Sequence, residues 1–202
     1  MRRSTSFSQH PADSGTGQAM TDETLMLAVK AGNLDQLSGL FERYHRPLFG
    51  FFYRLLRDRA AAEDLVQDVF VRVLKYRHTF QERTSFKAWV FHIARNSRLD
   101  FARKHPGTDG IPDDEAMPAV EPGPDIGFGN RQEVALLHQA LQRLPADKRE
   151  LIILARYRDM NYQQLAAVME IDEGAIRVRL HRAIRQLADI FHELRGTTRH
   201  AL

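Results

Sequence analysis

Apolar residues recur at steps of three and four along most of the chain, and no stretch alternates with period two for long. That spacing predicts helices and no sheet. Asp22 to about Ala31 reads as a short helix closed by Gly32. Asp35 to Arg57 reads as a longer one, bent near Pro47, with Leu37, Leu40, Phe41, Tyr44, Leu48, Phe51, Phe52 and Leu55 as its apolar set. Ala60 to Arg77 carries the cleanest stripe: Leu65, Val66, Val69, Phe70, Val73 and Leu74. Glu63 and Asp64 suit the positive end of that helix's dipole. Thr79 to Ser85 is a polar loop, and Ser85 can cap a helix that runs through Arg103. Arg131 to Leu144 is a further helix, and Pro145 starts another that ends at Tyr157.

The pattern breaks between Lys104 and Asn130. Pro106, Pro112, Pro118, Pro122 and Pro124 fall there, with Gly107, Gly110, Gly123, Gly127 and Gly129 and the acidic run Asp113, Asp114, Glu115. Such a segment can be neither a helix nor a central strand. It reads as an extended, flexible acidic linker between two small helical domains. The expected fold class is therefore all-α: a tail over 1–19, a helical bundle over 20–105, the linker over 106–130, a second helical domain over 131–195 and a tail over 196–202. The first nineteen residues are polar and Gly/Ser-rich, a composition expected to stay disordered, and Met20 offers an alternative start.

The second domain ends in MNYQQLAAVMEIDEGAIRVRLHRAIRQL, which reads as helix, turn, helix. Asn161 can cap the first helix, and Gln164 stands at the capping-box spacing. Glu170 to Gly174 supplies the turn, with the glycine where freedom is needed. On the second helix Ile176, Leu180, Ala183, Ile184 and Leu187 share one face. Val178, His181, Arg182 and Arg185 occupy the opposite arc, flanked by Arg177 and Arg179. One face holds the helix on its domain, and the other can enter the major groove of DNA. A basic amphipathic helix is also an ordinary solvated surface, so this pattern alone leaves both readings open.

Composition narrows the classes. Net charge is only +3, so basic character matters where it is clustered. The absence of cysteine excludes disulfides, thiolate metal sites and cysteine nucleophiles, and fits a reducing cytoplasm. No apolar run approaches the roughly 20 residues of a membrane span, and the N-terminus lacks the apolar core of a signal peptide. The helix SFKAWVFHIARNSRLDFARK is predicted to bury Phe86, Val90, Ile93, Ala94, Ser97 and Phe101. It would show His92, Arg95, Asn96 and Arg103, with Lys87 and Arg98 on one flank and Trp89 and Phe91 beside them. Cations interleaved with aromatics suit single-stranded nucleic acid, where phosphates meet charge and bases stack on rings. Aromatics at helical spacing equally well serve a core.

AAEDLVQDVFVRVLKY, the helix with F-x-x-W-x-x-x-I-A-x-N, and the G-x-x-x-x-R-L-x-R-A helix resemble, in order and spacing, the bacterial sigma factors of the extracytoplasmic-function (ECF) group of the sigma-70 family. The resemblance covers roughly 20–105 and 131–192. It implies a promoter-melting domain and a −35 domain that bind core RNA polymerase and promoter DNA, without catalysis. It further implies an anti-sigma factor as partner. The outward residues of Ala60–Arg77, namely Asp64, Gln67, Asp68, Val71, Arg72 and Lys75, match the family's polymerase-docking surface. Phe80, Gln81, Glu82, Arg83, Thr84 and Ser85 match its loop for a flipped −10 base, and Trp89, Phe91, His92, Arg95 and Asn96 complete the candidate −10 set. Arg177, Val178, His181 and Arg182 match −35 contacts, with Arg179 and Arg185 beside them. The linker resembles one that threads the polymerase's RNA exit path. The loop QERTS departs from the Gly-Asp pair common in the family.

Two other classes compete. One is a stand-alone helix-turn-helix regulator with an N-terminal sensing domain, which requires a roomy apolar pocket that the sequence does not announce. The other is an enzyme on nucleic acid. Asp64, Asp68 and Asp100 are not spaced as a metal site, and His78, His92, His138 and His181 are scattered. No catalytic residue, metal or cofactor is assigned.

Overall fold

The computed structural model describes residues 20–106, 128–157 and 160–199. The expected N-terminal tail and most of the expected linker lie outside those residues. The described residues form eight α-helices and no strand: α1 Asp22–Lys30, α2 Leu37–Leu56, α3 Arg59–Tyr76, α4 Phe86–Lys104, α5 Phe128–Arg143, α6 Ala146–Tyr157, α7 Tyr162–Met169 and α8 Glu173–Arg199.

Local chemistry sets the starts of these helices. Thr21, Asp58, Ser85 and Asn161 cap α1, α3, α4 and α7, each accepting a backbone N–H three residues on. The Asn161–Gln164 capping box is complete, with Gln164 N at 2.8 Å from the Asn161 side chain and the return bond at 3.1 Å. Gly32 closes α1 at φ 105, as its position predicts.

The turn before α8 differs from expectation. Gly174 lies inside α8, and Glu170 takes the left-handed conformation at φ 56. The reversal is needed directly after α7, four residues before the glycine. Gly174 answers a different need: a β-carbon there would stand 3.1 Å from the Asp172 carboxylate, which caps α8 through Ala175 N at 2.8 Å. Two boundaries also shift. Helix α5 begins at Phe128, inside the stretch assigned to the linker, because one glycine in a first turn weakens a helix without breaking it. Helix α8 runs on to Arg199, past the expected tail at 196, held down by buried Leu194.

Helices α1–α4 enclose an aromatic core. Phe51 meets Phe52 at 5.3 Å and Phe91 edge-on at 5.5 Å, while Phe86 packs on Tyr44 at 5.0 Å. Leu141, Leu144, Leu151–Leu154, Leu165, Val168, Ile176, Leu180 and Ala183 form the buried set of the second domain. The two sets are continuous, because α7 packs on α4 and α6 packs on α2. A linker-joined pair of domains did not predict that contact.

Candidate nucleic-acid interface

The loop between α3 and α4 is pinned at both ends. Phe80 is fully buried against Trp89 at 5.3 Å, and Lys30 Nζ donates to its carbonyl at 2.6 Å. Phe86 N donates to Glu23 Oε1 at 2.9 Å. Gln81, Glu82 and Arg83 stand exposed between these anchors, with Thr84 half-buried. Ser85 is half-buried and engaged: its Oγ caps α4 and accepts Gln164 Nε2 at 3.1 Å.

Two aromatics of the expected −10 set, Phe80 of the loop and Phe91 of α4, are core residues. Phe80 and Phe91 both have 0% exposure, so neither ring presents a face to a base. Phe91 packs inward because α2 brings Phe51 against that side of α4, which the periodicity of α4 alone does not show. Arg98, expected on an open flank, is likewise buried at 5%. Trp89, His92, Arg95 and Asn96 are half-buried and share one side of α4. Asn96 Nδ2 donates to His92 Nε2 at 2.9 Å.

Beside them lies a cavity of about 280 Å³ lined by Arg72, Tyr76, Thr79, Trp89, His92, Ile93 and Asn96. It combines ring faces, an amide, an imidazole and a cation. Tyr76 and Thr79 had no signal in the sequence, because only the fold brings the end of α3 against α4. Arg72 is fixed at the rim, 2.7 Å from Asp68 and 2.8 Å from Asp100. Arg103 also pairs with Asp100. The Arg72 hydrogen bond, opposed by some burial and joined by Arg103, holds the Asp100 carboxyl below its ordinary range.

The residues of the expected docking set stand on the outer face of α3. Asp64, Gln67 and Lys75 are exposed, Asp68 and Arg72 are half-exposed, and Val71 is 63% exposed. On α8, Ile176, Leu180 and Ala183 are buried, whereas Arg177, Val178, Arg179, His181, Arg182 and Arg185 are all exposed. Val178, at 49% exposure, is an apolar residue set among cations. Arg177 is positioned: Nη2 lies 2.6 Å from Glu173 Oε1, and its guanidinium sits 5.0 Å over the Tyr162 ring. Tyr162 and Glu173 were not singled out from sequence, since each alone is an unremarked surface residue.

This geometry, two helical domains each with a basic helical face, agrees with the comparisons. The family model of sigma-70 region 2 matches residues 40–106, and that of sigma-70 region 4 matches residues 135–187. The chain is 32% identical over 171 residues to the RNA polymerase sigma factor CarQ of Myxococcus xanthus, covering 84% of this chain and 97% of that one. It is 34% identical over 152 residues to the ECF RNA polymerase sigma factor RpoE of Cereibacter sphaeroides, covering 73% and 82%. The chain belongs to the ECF sigma factors of the sigma-70 family. It is an alternative sigma factor that directs transcription initiation, binding core RNA polymerase and promoter DNA. A solved structure of the sigma factor RpoE from Bartonella quintana, in complex with the anti-sigma factor NepR, superposes with a TM-score of 0.62 at 27% identity, covering 77% of this sigma factor and 96% of that chain. No described helix of this sigma factor is long and apolar enough to cross a membrane, and the described residues hold no cluster of metal ligands.

Proposed function

We propose that this sigma factor divides its work among three surfaces, acts in the cytoplasm without catalysis of its own, and is restrained by an anti-sigma factor. The outer face of α3, through Asp64, Gln67, Asp68, Val71, Arg72 and Lys75, docks on core polymerase. Exposed Val71 adds apolar area to the acids and cations around it. The loop Gln81–Thr84 and the cavity between Tyr76, Trp89 and Asn96 hold an unpaired base of the −10 element. Extruding that base costs a few kcal/mol, which a ring face and hydrogen-bonding groups in a shaped cavity can offset. The exposed arc of α8 reads the −35 element in the major groove.

The observation that carries this reading is the exposure of Val178 among Arg177, Arg179, His181 and Arg182. An apolar side chain at the centre of a cationic arc fits a thymine methyl in the major groove. The anti-sigma partner rests on the NepR complex of the Bartonella relative. The test is transcription in vitro with purified core polymerase and a randomised promoter library. Exchanging Gln81–Thr84 for another loop should change the preferred −10 base and leave the −35 preference intact. An unchanged −10 preference would remove the loop from the reading.

A further inference from the structure

The contact between the two domains is built on charge as well as apolar area. Glu150 of α6 is 1% exposed and faces α4. Its two oxygens lie 3.4 Å from Nε and Nη2 of Arg98, and Oε2 lies 3.5 Å from Arg95 Nε. Arg149, the preceding residue, is also buried. It donates to the Leu55 carbonyl of α2 at 3.3 Å and to the Gln142 and Leu144 carbonyls at 3.0 and 3.1 Å. At the far edge of the contact, Glu170 approaches His92 at 4.0 Å. Burial pushes the Glu150 carboxyl above its ordinary range, against the pull of Arg98 and Arg95.

A buried ion pair is a poor source of net stability, because desolvating both ions offsets most of their attraction. Its better-attested use is selection of one arrangement over another. Here the carboxylate holds Arg95, one of the residues assigned above to the single strand, together with Arg98 one turn further along α4. Arg95 and Arg98 stand three residues apart, on one ridge of the helix. In the closed chain a carboxylate holds both of them, while the cations of α8 remain exposed.

We propose that Arg95 and Arg98 form a phosphate-binding site for the single strand, and that Glu150 occupies this site until the domains part. The proposal rests on the −10 reading of α4. It adds Arg98 as a nucleic-acid contact and makes Glu150 an internal competitor. The closed chain presents its duplex-reading helix and withholds the residues that would hold melted DNA. Strand and carboxylate bind the same two guanidinium groups, so each weakens the other.

The test uses the full chain, whose lack of cysteine allows a dye pair at Glu63→Cys and Asp189→Cys. The probe is a mixed-sequence single-stranded oligodeoxynucleotide. Glu150→Gln should lower energy transfer between the dyes. It should also tighten oligonucleotide binding about tenfold if about nine chains in ten are closed beforehand. Arg98→Gln, on the other side of the contact, should also lower transfer but bring no gain in binding. Added to Glu150→Gln, it should erase the gain. Far-UV circular dichroism and melting temperature confirm that each variant is folded. If neither Glu150→Gln nor Arg98→Gln opens the chain, the competitor role falls. If the chain opens without tighter binding, or the gain survives Arg98→Gln, the phosphate site falls. Trp89→Ala and Asn96→Ala in the Glu150→Gln chain separate this result from the parent reading. Dependence on these two but not on Arg98 keeps the −10 reading and ends this proposal. Dependence on Arg98 alone supports the phosphate site and counts against base binding at α4.

Discussion

Helices α4 and α8 are built alike and end differently. Each carries an apolar stripe inward and a basic face outward at the same helical spacing. On α4 that outward face is half-covered: His92, Arg95 and Asn96 are partly buried, and Arg98 lies beneath Glu150. On α8 all six candidate side chains stand in solvent. The difference comes from neighbours rather than from the helices. Helix α7 and the Glu150 side chain of α6 lie over α4, while nothing described lies over the outer arc of α8. A basic amphipathic pattern therefore specifies a helix and its inward side, whereas the availability of its other side is a tertiary property.

The sharpest break between the two faces concerns their apolar residues. Phe91 and Val178 were both singled out as nucleic-acid contacts, and they are 0% and 49% exposed. Phe91→Ala should destabilise the N-terminal domain by roughly 3–5 kcal/mol, the range for emptying an aromatic site in a close-packed core. Val178→Ala should leave stability within about 0.5 kcal/mol and weaken only promoters with thymine at one −35 position. Denaturant melts of both variants check this. A Phe91→Ala chain as stable as its parent would return Phe91 to the surface.

Much of the architecture could be read from the residues. The all-helical class, the caps at Ser85 and Asn161, the loop between α3 and α4 and the arc of α8 all follow from local spacing and capping chemistry. The errors have two physical sources, one tertiary and one local. The periodicity of α4 points Phe91 outward because one helix's spacing does not say that Phe51 of another covers it. The sequence points to Gly174 for the turn because glycine adopts left-handed backbone most readily, and Glu170 adopts it instead. The Tyr76–Asn96 cavity and the Glu150 clasp join residues far apart in sequence, so no local pattern could show them. The motifs that announced the family were local, and the contact between its two domains was not.

Within α8 the comparison sharpens from cover to role. Arg182 lies near the centre of the exposed arc and Arg179 on its flank. A central arginine can hold a guanine edge with two hydrogen bonds, whereas a flanking one reaches phosphate. Arg182→Ala should cost roughly 1–3 kcal/mol and relax preference at one −35 position. Arg179→Ala should weaken every sequence about equally and lower the salt slope by about one. Binding of the polymerase holoenzyme to a −35 library at several salt concentrations reads both. If Arg182→Ala lowers all sites alike, the arginines act as a diffuse positive surface.

The smallest effect isolates the Glu173–Arg177 pair on the outer face of α8. Glu173 holds Arg177 at 2.6 Å, four residues along the helix, and the pair stands mostly in solvent. An exposed pair of that spacing contributes little to stability, because water screens it. Glu173→Ala should therefore barely move the melting temperature, and its meaning lies in binding. Freed from its carboxylate, the Arg177 guanidinium can turn to phosphate, and a nearby negative charge is gone. The slope of log affinity against log salt should steepen by up to about 0.9, the value for one further neutralised phosphate. Tyr162→Phe is the control, since it keeps the ring beneath the guanidinium and removes only the hydroxyl. A slope unchanged by Glu173→Ala would mean that Arg177 stays beside Tyr162 and never reaches the backbone. In that case α8 would resemble α4 in one respect: a cation that counts in the sequence is already engaged within the protein.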